Sequence, residues 1–421
     1  MVDSGDTAWV LASAALVLFM TPGLAFFYGG MVRSKNVLAM LAQNFVCMGL
    51  VSVLWVLFAF SLAFGPDLGG GLIGDLGLAG LTDLSRSGFV LPGYDGLTVA
   101  PLAFAAFQLM FAVITPALIT GAVADRLRFP AWLAFVGAWV VLVYAPVAHW
   151  VFSPNGWLFE LGALDFAGGA VVHVNAGIAA LALVLVVGRR RGWPGEAMAP
   201  HALPLTLLGT GILWFGWFGF NAGSALAANG VAAEAFVNTN TAAAAAMLGW
   251  LAAERAQGGK ATTLGAASGA VAGLVAITPC AGFVSPLASL AIGAVAGVVC
   301  FLAIRLKFRL GYDDALDVVA VHLVGGIMGS LMLGVFARDG GLVGGDGAAL
   351  LGKQFVAVGA TLAWSFVVSY LLARVLDATI GLRVDADEEA EGLDLGEHAE
   401  TAYAGAFGSM GELGPTGRSN P

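Results

Sequence analysis

Charge is what this chain has least of. Only 11% of its 421 residues are Asp, Glu, Lys or Arg, against 59% hydrophobic residues and a mean hydropathy of +0.90. A water-soluble fold of this length cannot bury so much apolar surface, so the composition excludes one and points to an all-α polytopic membrane protein. Cysteine is nearly absent. Cys47, Cys280 and Cys300 are odd in number, lie in apolar segments and lack metal-ligand spacing, so they read as small hydrophobes. The start, Met1-Val-Asp-Ser-Gly-Asp6, lacks the Lys or Arg of a signal peptide, and the first apolar run is expected to stay as a span.

What is present is a series of apolar runs long enough to cross roughly 30 Å of hydrocarbon at about 1.5 Å per residue. They fall at about 7–31, 37–64, 98–122, 129–148, 166–188, 203–221, 236–253, 263–279, 286–304, 316–337 and 354–377, which predicts eleven transmembrane helices. Their connecting segments divide the basic residues unequally. Arg33, Lys35, Arg126, Arg128, Arg189, Arg190, Arg191, Arg255, Lys260, Arg305, Lys307, Arg309, Arg374, Arg383 and Arg418 fall on one side, and Arg86, Arg338 and Lys353 on the other. By the rule that basic loops stay inside, this fifteen-to-three split predicts an N-terminus outside and a C-terminus inside. The net charge of −9 is concentrated beyond Arg383, where nine acidic residues face a single Arg418. The chain therefore divides into a membrane domain, 1–383, and an acidic cytosolic tail, 384–421, whose Gly/Ser/Pro-rich end is expected to be disordered.

The apolar runs contain few ionisable groups, and a titratable side chain inside the membrane is a functional candidate by default. Two histidines stand out. Val-His-x-x-x-Gly-Ile occurs at Val172 to Ile178 and again at Val321 to Ile327, each time after Ala-Leu-Asp, at Ala163 to Asp165 and Ala315 to Asp317. The fifth run is predicted to go inward and the tenth outward, so the repetition is inverted. Helices 1–5 and 6–10 are then expected to be two halves related by a pseudo-two-fold axis in the membrane plane, with a site between them near the midplane. A lone histidine of this kind would read as a core residue bonded to a neighbouring carbonyl. The inverted repetition favours one shared site, with both rings neutral because burial disfavours the charged form. A metal would need three or four ligands, and no further His, Cys or carboxylate stands beside the pair at helical spacing.

Asp165 and Asp317 begin the fifth and tenth runs, where a carboxylate caps free N–H groups and favours the positive end of the helix dipole. Asp165 could also attract a cation through its field. Asp313 and Asp314 cluster with Asp317 at the inner end and are expected to organise the loop and tail. Trp214-Phe-Gly-Trp217-Phe-Gly-Phe220-Asn-Ala-Gly-Ser224 closes the sixth run, and Phe107-Gln108-x-x-Phe111 sets two phenyl rings one turn apart in the third. Aromatic residues near an interface usually anchor, and pairs at this spacing usually pack a core, but their faces also hold desolvated cations.

Asp165-Phe-Ala-Gly-Gly with Val-Val-His173, Gly216-Trp-Phe-Gly-Phe-Asn-Ala-Gly-Ser224 and Asp313-Asp-x-x-Asp317 with Val-His322 together resemble the ammonium transporter (Amt/Mep/Rh) family, its Amt branch most closely. The likeness covers essentially the whole chain, through Gly381-Leu-Arg-Val and Glu400-Thr-Ala-Tyr403. It implies a transporter, not an enzyme, with no cofactor, metal or nucleic acid, that carries ammonium/ammonia and takes methylammonium as an analogue. The implied assembly is a homotrimer in the cell inner membrane, with one pore per subunit and a PII-type regulatory protein acting at the cytosolic face. Carried over by motif, His173 and His322 resemble the paired pore histidines, Trp217 a pore-lining residue, and Phe111 and Phe220 the two gate rings. Ser224 resembles the hydroxyl of the outer recruitment site, with Phe107 beside it and Asp165 below. One position departs: where the family commonly has Trp, counting from Ala148-His149 gives Phe152, and Trp150 or Trp157 is the alternative source of an indole. Because an isolated ion in a dielectric near 4 is penalised by an idealised ~20 kcal/mol, the expected mechanism is recruitment of NH4+ outside, deprotonation near the phenyl gate and passage of NH3 past the histidines, with or without separate transfer of the proton. A sensor that signals through the tail is the competing reading.

Overall fold

Hydrocarbon offers no partner to backbone N–H and C=O groups, so a chain this apolar satisfies them within helices. The computed structural model describes residues 2–403; the far end of the tail, with its expected disorder, lies outside the described residues. No strand occurs among them. The long helices are α1 (Ser4–Met31), α2 (Val37–Leu54, prolonged through Trp55–Ala59 to Phe60–Phe64) and α3 (Pro101–Val123). Then come α4 (Phe129–Trp139, prolonged through Val140–Tyr144 to Ala145–Phe152), α5 (Gly169–Val174, then Asn175–Val187) and α6 (Leu203–Gly223). α7 (Gly230–Ala256), α8 (Thr263–Ile277) and α9 (Pro286–Ala303) follow, before α10 (Val319–Val324, then Gly325–Phe336) and α11 (Ala349–Thr379). Two short tail helices, α12 (Ala386–Glu391) and α13 (Leu393–His398), complete the described chain.

Nine of these helices, among the described residues, are long and apolar enough to cross a membrane. The two expected spans outside that number are α7, which carries Glu234, Asn238, Asn240 and Glu254, and α8, which has only 15 residues. The helix starts follow local chemistry. Asp3, Asn229, Thr262 and Ser285 accept backbone N–H groups at the heads of α1, α7, α8 and α9, while Pro101, Pro204 and Pro286 occupy first turns that need no N–H. The fourth apolar run was expected to end at 148, but α4 continues to Phe152 and so places that ring on a helical turn.

The segments joining the helices sort onto two faces. Residues 32–36, 124–128, 188–191 and 311–317 lie on the face that carries the tail, while the start of α1 meets Thr98 and Ala228 on the opposite face. Between these faces, α5 and α10 cross antiparallel at reciprocal glycines. A Cβ on Gly177 would stand 2.5 Å from the Leu323 nitrogen, and one on Gly326 3.0 Å from His173 Cβ and the Val174 nitrogen. Each glycine lies four residues after a histidine, so the His-x-x-x-Gly spacing lets one helix settle against the histidine turn of the other.

The tail packs along its face. Leu393 N donates to Asn36 Oδ1 at 2.9 Å, Ala39 N to Asp394 Oδ1 at 2.9 Å and Phe129 N to Glu397 Oε2 at 3.0 Å. Arg383 pairs with Glu389 at 2.6 Å. Beneath it, Arg190 bridges Asp313 at 2.8 Å and Asp125 at 3.5 Å, and Arg33 pairs with Asp125 at 3.1 Å. Burial pushes the Asp313 carboxyl up, but its bonds to Arg190 and the charge of Arg126 outweigh this and hold it below the usual range.

Candidate functional site

Each histidine sits in a π-helical turn, Gly169–Val174 or Val319–Val324, and such wide turns occur often at functional sites. Carboxylates set both turns. Asp165 accepts from Gly168, Gly169, Ala170 and Val171 N at 2.6–3.2 Å, so its oxygens are engaged by a helix N-terminus although it borders a cavity. At the other turn the expected cap, Asp317, is displaced by Asp314, which accepts from Val318 and Val319 N at 3.1 and 2.7 Å. Asp317 instead takes a left-handed conformation, φ 63°, and pairs with Lys307 at 2.7 Å. Asp165 and Asp314 each precede their histidine by eight residues, so the spacing to the histidine identifies the equivalent carboxylates and the shared Ala-Leu-Asp does not. Burial, with the Asp317 charge beside it, raises the Asp314 carboxyl to about 6.

His173 and His322 are both buried, with Nδ1 atoms 3.2 Å apart and rings nearly parallel at 21°. At that distance a neutral pair needs Nδ1–H on one ring and a bare Nδ1 on the other, so the two share one proton and must be opposite tautomers. His173 Nε2 is buried with no partner among the described residues. Trp217 stacks on His173 at 5.4 Å and 20°, and its indole N–H donates to Thr278 Oγ1 at 2.9 Å. Phe220 lies 5.5 Å from Trp217 and 4.3 Å from Phe111, so α3, α5, α6 and α10 each contribute to one line of rings. Around the histidines the free volume is only ≈ 10 Å³, walled by residues such as Ile114, Leu118, Val172 and Leu213. About one water-sized sphere fits in that space.

Beyond Phe111, on the face opposite the tail, lies a separate cavity of ≈ 200 Å³, the vestibule, bordered by Phe111, Phe152, Asp165, Ser224, Gln108 and Tyr94. Ser224 Oγ donates to Phe220 O at 2.8 Å, which leaves its lone pairs free to accept. Phe152 meets Phe111 edge-on at 6.4 Å. Trp150 and Trp157 pack against each other at 5.9 Å, and Trp150 donates to Leu72 O and meets Trp364 edge-on, so neither indole borders the vestibule with Phe152. Phe107 is fully buried behind Phe111, at 4.9 Å and 70°.

Sequence reasoning overlooked Thr278 and Tyr94. Thr278 ends α8 and carried no signal beyond that of a helix terminus, while Tyr94 lies in a long loop whose position nothing local reveals. Gln108 was visible only as a spacer between two phenyl rings; its buried Oε1 has no partner among the described residues.

Fold and site together define a multi-pass membrane protein whose apolar interior buries an imidazole pair. The chain matches the model of the Ammonium Transporter Family over residues 8–403. It belongs to that family. An ammonium transporter of Mycobacterium tuberculosis (strain ATCC 25618 / H37Rv) is 52% identical over 98% of this chain and 93% of its own length. One from Bacillus subtilis (strain 168) is 50% identical over 96% and 99%. The crystal structure of Saccharomyces cerevisiae Mep2 superposes with a TM-score of 0.85 at 34% identity, covering 91% of each chain. A structure described as a sensor Amt protein superposes at 0.86 with 33% identity, covering 94% of this chain and 98% of that one.

Proposed function

We propose that the protein is an ammonium transporter that takes up NH4+ in the vestibule, removes a proton near Phe111 and Phe220, and conducts NH3 past His173 and His322. The observation that carries this reading is the order of the site: acceptor hydroxyl and aromatic faces, then touching phenyl rings, then a shared-proton imidazole pair in a passage one small molecule wide. A bare ion in a medium of dielectric near 4 is penalised by an idealised ~20 kcal/mol. Two neutral imidazoles do not repay that. Ser224 and the faces of Phe111 and Phe152 hold the cation where water still reaches it, with Asp165 organising the turn beneath. Neutral NH3 then needs only hydrogen-bond partners, and His173 Nε2, which no described residue engages, is one.

In this reading all eleven long helices span the cell inner membrane, helices 1–5 and 6–10 form inverted halves, and the tail face is cytosolic. The fifteen-to-three distribution of basic residues and the antiparallel crossing of α5 and α10 support it. The exposed apolar side chains of α1, α6 and α7, among them Phe19, Phe215 and Phe236, suit both lipid and neighbouring subunits of a homotrimer. Residues 1–383 are the transport domain, and the docked acidic tail is the element through which a PII-type protein acts. The test is [14C]methylammonium uptake and ammonium-evoked current in proteoliposomes. Ammonium should compete and amino acids should not; competition by amino acids would overturn the substrate assignment, and the current reads whether the proton also crosses.

A further inference from the structure

The loop between α2 and α3 folds over the vestibule, and one of its side chains reaches the wall. Tyr94 Oη donates to the Phe152 carbonyl at 2.7 Å. That carbonyl belongs to the last residue of α4, among those that no helical N–H can satisfy. The Tyr94 ring packs on Phe104 at 5.0 Å. It borders the ≈ 200 Å³ vestibule on one side and, with Leu226 and Thr98, a more open cavity of ≈ 360 Å³ on the other, so the ring partitions the two. The far end of the loop is tied down independently. Thr98 Oγ1 donates to Asp6 Oδ2 at 2.5 Å, Asp3 N donates to Thr98 O at 2.7 Å, and Asp6 Oδ1 accepts from Ala228 N at 2.8 Å. Two anchors therefore hold the loop, one at the rim and one on the residue that presents a vestibule ring.

From this geometry we infer that Tyr94 is a positioning residue for cation recruitment: its hydroxyl fixes the end of α4 and thereby the Phe152 ring opposite Phe111. The inference rests on the vestibule being the recruitment site, as proposed above. A single surface loop thus tunes affinity at the outer site without touching the gate or the histidines, where the maximal rate is set.

The test is a double-mutant cycle in the full-length protein reconstituted in liposomes, read as half-saturating methylammonium concentration and maximal rate. Tyr94→Phe keeps the ring and removes only the hydroxyl, so half-saturation should rise roughly two- to fivefold, as loss of one hydrogen bond permits, while the maximal rate changes less than twofold. Phe152→Ala should raise half-saturation by itself. Adding Tyr94→Phe to Phe152→Ala should then produce no further shift, because residues acting through one another are not additive. The inference is overturned if Tyr94→Phe leaves half-saturation at the wild-type value while Phe152→Ala raises it, if the two shifts multiply, or if Tyr94→Phe lowers only the maximal rate. If Phe152→Ala changes nothing, the recruitment reading itself fails and takes the inference with it.

Discussion

In the proposed function the histidine pair decides transport while contributing little to stability. Removing a neutral, buried, hydrogen-bonded side chain costs on the order of 1–3 kcal/mol, a small share for a bundle of this size. His173→Ala and His322→Ala should therefore express and fold, yet change transport in kind, because the Nδ1–Nδ1 contact at 3.2 Å cannot form in either. Flux should fall, or water should enter and selectivity drop; wild-type flux and selectivity in both variants would refute the role. Phe152 is a milder case. An indole holds a cation more strongly than a phenyl ring, and at a partly solvated site the gain lies within about 0.5–1 kcal/mol. Phe152→Trp should accordingly lower half-saturation by a few-fold at most with the maximal rate nearly unchanged, whereas Trp150→Ala and Trp157→Ala, away from the cavity, should leave half-saturation alone.

Among the helices, the decisive relation is the crossing of α5 and α10. At Gly177 the nearest atom to an added Cβ is backbone, the Leu323 nitrogen at 2.5 Å, which cannot rotate aside as a side chain can. Overpacking of this sort costs typically about 1–3 kcal/mol and shifts the backbone. Gly177→Val should thus push the two π-helical turns apart and abolish the imidazole contact, with methylammonium uptake falling at least as far as in His322→Ala while the protein still elutes as a folded assembly. Wild-type uptake in that variant would mean that the glycine contact does not hold the pair together.

For the whole molecule, the tail is joined to the helical bundle through backbone groups and one side-chain amide of three separate segments: Asn36 and Ala39, Arg126 to Phe129, and Arg191. Those bonds link it to the entries of α2 and α4 and to the segment preceding α6. Truncation after Arg383 should release these groups and uncouple transport from its shut-off by ammonium, which growth on limiting ammonium followed by an ammonium pulse would read. Unchanged growth and unchanged shut-off would reject a regulatory role for the tail.

Only the resemblance to the ammonium transporter family singled out Trp217, Phe111, Phe220 and Ser224, whereas composition and the His-x-x-x-Gly repeat were enough to point to a helical membrane protein and to single out His173 and His322, because membrane burial makes each ionisable interruption conspicuous in one dimension. They did not reveal that Asp314, and not Asp317, caps the second histidine turn. A cap is chosen by where backbone N–H groups point, and the left-handed turn at Asp317 redirects it to Lys307. Nor did they reveal Tyr94 and Thr278, whose partners Phe152 and Trp217 lie 58 and 61 residues away. Such bonds form only once the bundle has brought distant loops together, so the tertiary structure alone decides which ring faces the vestibule and what holds it there.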